Sequence, residues 1–227
     1  MGNIKEHFEN EAKKFDELIV KLIPYYDEML NALINSVNFE KRKNVKILDL
    51  GCGTGNVSLK ILNGFPKAEI LCVDLSQNMI DIAKNKLSKY KNISFAVGNI
   101  ADFEFKNTYD VILSSLAVHH LKTDEDKAKF YKMIFGILNK NGIFANADEI
   151  LGENKYLQNV NMKLWTEYMK KNFSEREVSE KWLKAYESED RPSKLIKQLE
   201  WMKNAGFKDV DIIWKYYNFA VFSGIKE

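Results

Sequence analysis

Between residues 45 and 148 the chain alternates short apolar runs with stretches of helical periodicity. The runs at 45–50, 69–74, 93–97, 109–114 and 142–148 are too short for helices and rich in branched residues. That composition suits strands buried on both faces. Between them, 56–63, about 77–87 and about 125–139 read as helices covering a sheet. Ser76 is placed to cap the second helix, and Gly142 stands past the third, where a helix end favours glycine. Strands alternating with helices predict an α/β fold with a mostly parallel sheet, and ligands bind at the carboxyl ends of such strands.

Three further segments flank this core. In residues 3–38, Phe8, Phe15, Leu18, Ile19, Leu22 and Ile23 form one amphipathic face. Pro24 breaks the helix, and Met29, Leu30, Leu33, Ile34 and Val37 form a second stripe. Tyr25 and Tyr26, beside the break, are candidates to contact a ligand. Residues 41–44 read as a charged, solvated linker. Residues 151–191 form a helical insertion over the strand tips, a lid. Tyr156, Leu157, Val160, Leu164, Trp165, Tyr168 and Met169 share one side of it, and Trp182, Leu183 and Tyr186 another. A helix at about 192–205 leads to two strands, 210–217 and 219–225, joined so closely that only an antiparallel hairpin fits. The chain divides into a helical cap (1–44), a ligand-binding core (45–150), the lid (151–191) and a helix with hairpin completing the core (192–227).

Composition narrows the partners. A formal charge of +2 over 227 residues gives no field favouring nucleic acid or a membrane surface. The lid carries eight basic and eight acidic residues, so it is no basic clamp. No apolar run approaches spanning length, and the start has no signal-peptide core. Two cysteines in or beside core strands, Cys52 and Cys72, fit a reduced compartment. The expectation is a cytoplasmic protein acting on a small molecule, with a homodimer left open.

The chemistry gathers at the first strand's end. After 45–50 come three glycines at alternate positions, Gly51, Gly53 and Gly55, and then a helix. Such a turn lets a ligand reach main-chain N–H groups. The second strand ends in Asp74, nineteen residues after Gly55, where a carboxylate can bond both ribose hydroxyls. The spacing differs from the G-x-G-x-x-G of dinucleotide sites. Together with Asp49 it resembles motif I of the class I S-adenosylmethionine-dependent methyltransferases. The C-terminal hairpin is also characteristic of that family.

This resemblance implies a Rossmann-like fold with a mostly parallel seven-stranded sheet. It also implies S-adenosylmethionine as cofactor and S-adenosylhomocysteine as product. The cofactor residues would be Tyr26, Asp49, Gly51, Cys52, Gly53, Gly55, Asp74, Leu75, Met79, Asn99, Ile100 and Ser114. His119-His120-Leu121 resembles the family's loop after strand four. With Asp148 and Glu149 after strand five, His119 and His120 are the candidate catalytic groups. Tyr25, His119, Trp165 and Trp182 are candidates to line the substrate. No spacing joins these residues into a metal site, and none is expected.

The whole chain resembles one branch more closely, the bacterial proteins that make carboxy-S-adenosylmethionine for tRNA wobble-uridine modification. Leu22-Ile-Pro-Tyr-Tyr26, residues 174–181, Asn204-Ala-Gly-Phe207, Trp214, Asn218 and Phe219 carry the likeness. In that branch an arginine suited to the product's carboxylate follows the lid lysine, whereas here Trp182 follows Lys181. Ser114 replaces the branch's asparagine. A neutral indole cannot grip a carboxylate as a guanidinium does. The expected activity is therefore methyl transfer to a small molecule. The alternatives are carboxy-S-adenosylmethionine synthesis (prephenate being the carboxyl donor the resemblance implies), tRNA wobble-uridine methylation, or cofactor binding without turnover.

Overall fold

The computed structural model describes residues 12–37 and 45–227. Phe8 and the 41–44 linker lie outside the described residues. Helices α1 (Phe15–Leu22) and α2 (Tyr26–Asn35) precede β1 (Lys46–Leu50), α3 (Asn56–Gly64), β2 (Glu69–Asp74), α4 (Gln77–Lys86) and β3 (Ile93–Val97). β4 (Tyr109–Ser115), a 3₁₀ turn (Val118–His120), α5 (Asp124–Ile137) and β5 (Leu138–Leu151) follow. The insertion holds α6 (Lys155–Met169), α7 (Glu175–Glu177), a π turn (Val178–Trp182) and α8 (Leu183–Glu189). β6 (Ser193–Lys194), α9 (Leu195–Ala205), β7 (Lys208–Tyr216) and β8 (Phe219–Lys226) end the chain.

The main strand path is β3-β2-β1-β4-β5-β8-β7, with β6 paired to β5. β1 pairs in parallel with β2 and β4, while β8 runs antiparallel to both β5 and β7. The order reverses between β1 and β4, so the tips of these two strands open a crevice. Ile47, Leu48, Asp49 and Leu50 of β1 are all buried because apolar layers cover both sheet faces. Local chemistry starts the helices, at Ser76 as expected from sequence and at three further caps. Ser76 accepts from Met79 N, Thr123 from Asp126 N and Asn154 from Leu157 N, while Ser174 and Glu177 form a reciprocal capping box.

Three expectations need correction. Gly142 is not a helix stop: α5 passes directly into β5, and Asn141 takes the positive φ, at 60°. Gly142 lies inside the strand, where a Cβ would meet Asn139 O at 2.7 Å. The helix expected from residue 192 begins at Leu195 because Ser193 and Lys194 first pair with β5. The buried side of α6 is Asn161, Trp165 and Met169, whereas Tyr156 and Leu157 are exposed. Hydrogen bonding turns the polar side inward: Gln158 accepts from Gly152 N at 2.6 Å and faces Tyr186 Oη at 3.5 Å.

Candidate functional site

A cavity of about 230 Å³ opens at the carboxyl ends of β1, β2, β4 and β5, between the sheet, α1 and the insertion. One half is the glycine turn. Gly51, Gly53 and Gly55 all have positive φ, of 64°, 53° and 85°. Gly51 N and Cys52 N donate to Val73 O, which fastens the turn to β2. Asp74 faces this half with both carboxylate oxygens already placed: Oδ2 accepts from Gly53 N at 2.8 Å and Oδ1 from Ser76 N at 2.9 Å. Leu75, Met79, Asn99 and Ile100 continue the wall, with Cys52 and Tyr26 beside the turn. Burial pushes the Tyr26 phenol up to about 12, against the opposing bond from Asn56.

Helix α1 roofs the cavity with Phe15, Leu18, Ile19 and Leu22, none of which the sequence marked as ligand contacts. Its first turn is bound to the glycine turn through Asp16, which accepts from Thr54 Oγ1 at 2.6 Å, Asn56 Nδ2 at 3.0 Å and Lys86 Nζ at 2.7 Å. Its last carbonyls, which have no partners within a helix, are taken by the insertion. Trp165 Nε1 donates to Leu22 O at 2.8 Å, and Tyr168 Oη to Val20 O at 2.7 Å.

The other half of the cavity carries the polar groups. His119 Nδ1 meets Asp148 Oδ1 at 2.5 Å, while its Nε2 lies 3.5 Å from Asp190 Oδ1. His120 Nδ1 lies 3.2 Å from the same oxygen. Arg191 N donates to His119 O at 3.0 Å, which holds the Asp190 segment against the 3₁₀ turn. Burial lowers the His119 pKa, but the Asp148 and Asp190 carboxylates overcome it and raise the group well above the ordinary range. Burial and the neighbouring His119 hold His120 below that range. Burial raises Glu149 to about 8, with Asp190 adding to the shift and the Asn218 bond opposing it. Burial alone would raise Asp190, yet its bonds to both histidines hold it well below the usual carboxylate range. Trp165, Trp182, Tyr186, Phe219 and Glu189 complete the wall. Trp182 is 7% exposed, and its Nε1 has no hydrogen-bond partner among the described residues.

Fourteen of the residues singled out from sequence meet in this cavity: Tyr26, Gly51, Cys52, Gly53, Asp74, Leu75, Met79, Asn99, Ile100, His119, His120, Glu149, Trp165 and Trp182. Five stand off it. Tyr25 has φ 55° and turns outward onto Tyr216, with ring centroids 4.7 Å apart. Asp49 is buried beneath the turn, accepting from Ser58 Oγ at 2.6 Å, and burial raises it to about 6. Ser114 Oγ donates to Leu50 O inside the sheet. Gly55 opens α3 against Leu87 and Ala83. Asp148 lies behind His119, with 0% exposure. Asp190 was missed altogether, since nothing in its spacing ties it to residues 119 and 120.

The family model described as "Methyltransferase domain" matches residues 41–204. Carboxy-S-adenosyl-L-methionine synthase of Campylobacter fetus subsp. fetus is 32% identical over 232 residues, covering 98% of this chain and 96% of the relative. The enzyme of the same name from Nautilia profundicola is 27% identical, covering 97% and 94%. Human N-acetylserotonin methyltransferase, solved with S-adenosylmethionine, superposes with a TM-score of 0.66 at 15% identity. That match covers 96% of this chain and 56% of the human one, so the likeness is one of fold.

Proposed function

The chain belongs to the methyltransferase-domain family, and from that premise we propose that it transfers a methyl group from S-adenosylmethionine to a neutral or cationic small molecule beneath the lid. The cofactor is S-adenosylmethionine. The residues present fit it: a Cβ at Gly53 would project into the cavity, with Phe15 Cε1 nearest at 3.9 Å, so the missing side chain leaves room for a ligand. Asp74, already aimed by two backbone N–H groups, would hold the ribose hydroxyls. Leu75, Met79 and Ile100 would flank the adenine, and Asn99 would face its amine. When bound, the cofactor supplies an electrophilic methyl group. The protein's part is to orient the acceptor and exclude water.

One observation carries the choice of acceptor. Among the described residues, no lysine or arginine lines the cavity, while Glu149, Glu189 and Asp190 do. Without a lysine or arginine in the wall, the carboxylate of an anionic donor or product would find neither a guanidinium fork nor an ammonium to hold it. Trp182 stands where the resemblance to the carboxy-S-adenosylmethionine branch implies an arginine suited to a carboxylate, and the nearby Lys181 lies over its ring at 4.1 Å without lining the cavity. His119, His120 and Glu149 would orient the acceptor, while Trp165, Trp182 and Tyr186 would exclude water.

The test is incubation with labelled S-adenosylmethionine and a metabolite extract, followed by mass identification of the methylated compound. A parallel reaction with S-adenosylmethionine and prephenate decides the second reading, which the names of the relatives favour. A carboxylated nucleoside would establish synthase activity and overturn the proposal; a methylated amine, phenol or thiol without it supports the proposal.

A further inference from the structure

We propose that His119, His120 and Asp190 bind a divalent first-row transition-metal cation in the acceptor half of the cavity. One ligand atom from each of the three lies within 4.8 Å of the other two. Metal–ligand bonds of about 2.0–2.2 Å in tetrahedral array place ligand atoms roughly 3.3–3.6 Å apart. The separations of Asp190 Oδ1 from His120 Nδ1 and His119 Nε2 are 3.2 and 3.5 Å. Asp190 is therefore spaced for a shared cation with either imidazole, and the two imidazole atoms, within 4.8 Å of each other, need close by no more than about 1.5 Å.

The surroundings are those of a built site. His119 turns its Nδ1 to Asp148, which leaves its Nε2 on the Asp190 side, 3.5 Å from Oδ1. A carboxylate behind a ligating imidazole fixes the ring's tautomer and orientation and raises its basicity. Asp148 is itself held by Asn146 Nδ2 at 3.2 Å and Glu149 N at 3.0 Å. That role accounts for a fully buried carboxylate that does not reach the cavity. The two histidines share one 3₁₀ turn, and the bond from Arg191 N to His119 O clamps Asp190 to it. The set comes from a rigid turn and a backbone clamp, not from mobile surface groups.

The chemistry of the donors selects the metal. Two imidazoles and a carboxylate favour zinc, iron, cobalt or nickel over magnesium and calcium, which prefer oxygen donors. All three residues line the cavity, and three protein ligands leave a position open toward it. The ligand class is therefore a small acceptor offering an oxygen, nitrogen or sulfur atom to the cation. This goes beyond the proposed methyl transfer, and cation binding is measured without turnover, so either claim can fail alone.

The experiment uses the full chain without a histidine tag, stripped with chelator, and titrates it with Zn²⁺ by calorimetry and with Co²⁺ by visible absorption. The expected result is one cation per chain, with intense d–d bands of a low-symmetry cobalt site. Asp190→Asn and His120→Ala should each weaken Zn²⁺ binding by more than about tenfold, and Asp148→Asn by about 10–100-fold. Circular dichroism and S-adenosylhomocysteine titration verify that each variant is folded. The chain has three histidines, two of them here, so imidazole resonances on Zn²⁺ addition give a second readout that needs no variant. No saturable binding by the wild type would overturn the proposal. So would binding that all three folded variants retain unchanged, or imidazole resonances that do not move at saturation.

Discussion

Two glycines of one turn should fail in different ways when given the same methyl group. At Gly51 a Cβ would stand 2.3 Å from the Ala117 Cβ, well inside the roughly 3.5–4.0 Å at which carbon atoms rest. Ala117 is 9% exposed and leads into the turn that carries the histidines, so it has little room to retreat. Gly51→Ala therefore combines left-handed backbone strain of about 1–2 kcal/mol with overpacking of about 1–3 kcal/mol. At Gly53 the strain is similar, but the new methyl meets only Phe15 at 3.9 Å. Gly53→Ala should lose about 1–2 kcal/mol of stability and weaken S-adenosylhomocysteine binding by more than about tenfold, roughly 1.4 kcal/mol. Urea unfolding measures the first quantity and calorimetric titration the second. A Gly51→Ala protein with an unchanged unfolding midpoint would refute the packing argument. A Gly53→Ala protein that binds S-adenosylhomocysteine like the wild type would show that this turn does not touch the ligand.

Asp74→Ala should weaken cofactor binding by about 3 kcal/mol or more, because two charge-assisted bonds are lost at about 1.5–3 kcal/mol each; undiminished affinity in calorimetry would remove Asp74 from the site. Burial raises the Asp49 pKa from 3.8 to about 6, so the folded state holds its proton more tightly and stability falls as pH rises from about 4 to 6, by about 3 kcal/mol. Asp49→Asn should flatten that fall in ligand-free unfolding curves, and an unchanged pH profile would contradict it. Trp165→Phe keeps an aromatic ring but loses the indole N–H and its bond to Leu22 O. It should cost about 1 kcal/mol and speed amide exchange at the end of α1, and unchanged exchange there would dissolve the link between α1 and α6.

The sheet was legible because its signals are local. Runs such as 69–74 are bounded by turn residues, and Ser76 caps its helix through a bond three residues away. The glycine turn and Asp74 were legible because a βαβ unit brings their positions together whatever the side chains between them. Sequence failed where a distant partner decides. Tyr25 follows the expected break, yet its left-handed φ sends the ring toward Tyr216. The apolar stripe of α6 included Tyr156 and Leu157, which face out, because Gln158 finds hydrogen-bond partners inward. Asp148 and Glu149 are neighbours in one strand, but only Glu149 reaches the cavity. Asp190 joins His119 only through the path of the whole insertion, and no periodicity encodes that.

The fastening of α1 sets a timetable for the nascent chain. Leu22 waits for Trp165, 143 residues further on, and Val20 waits for Tyr168, 148 residues on. At about 5–20 residues per second, the ribosome leaves the end of this helix bonded only to water for roughly 7–30 s. The strands from residue 46 to the glycine turn and Asp74 are all made within that interval. A growing chain thus owns the floor of its cavity long before it can close the ceiling. Closure of the cavity waits on the synthesis of Trp165 and Tyr168, and residues late in the chain decide when the early ones are roofed.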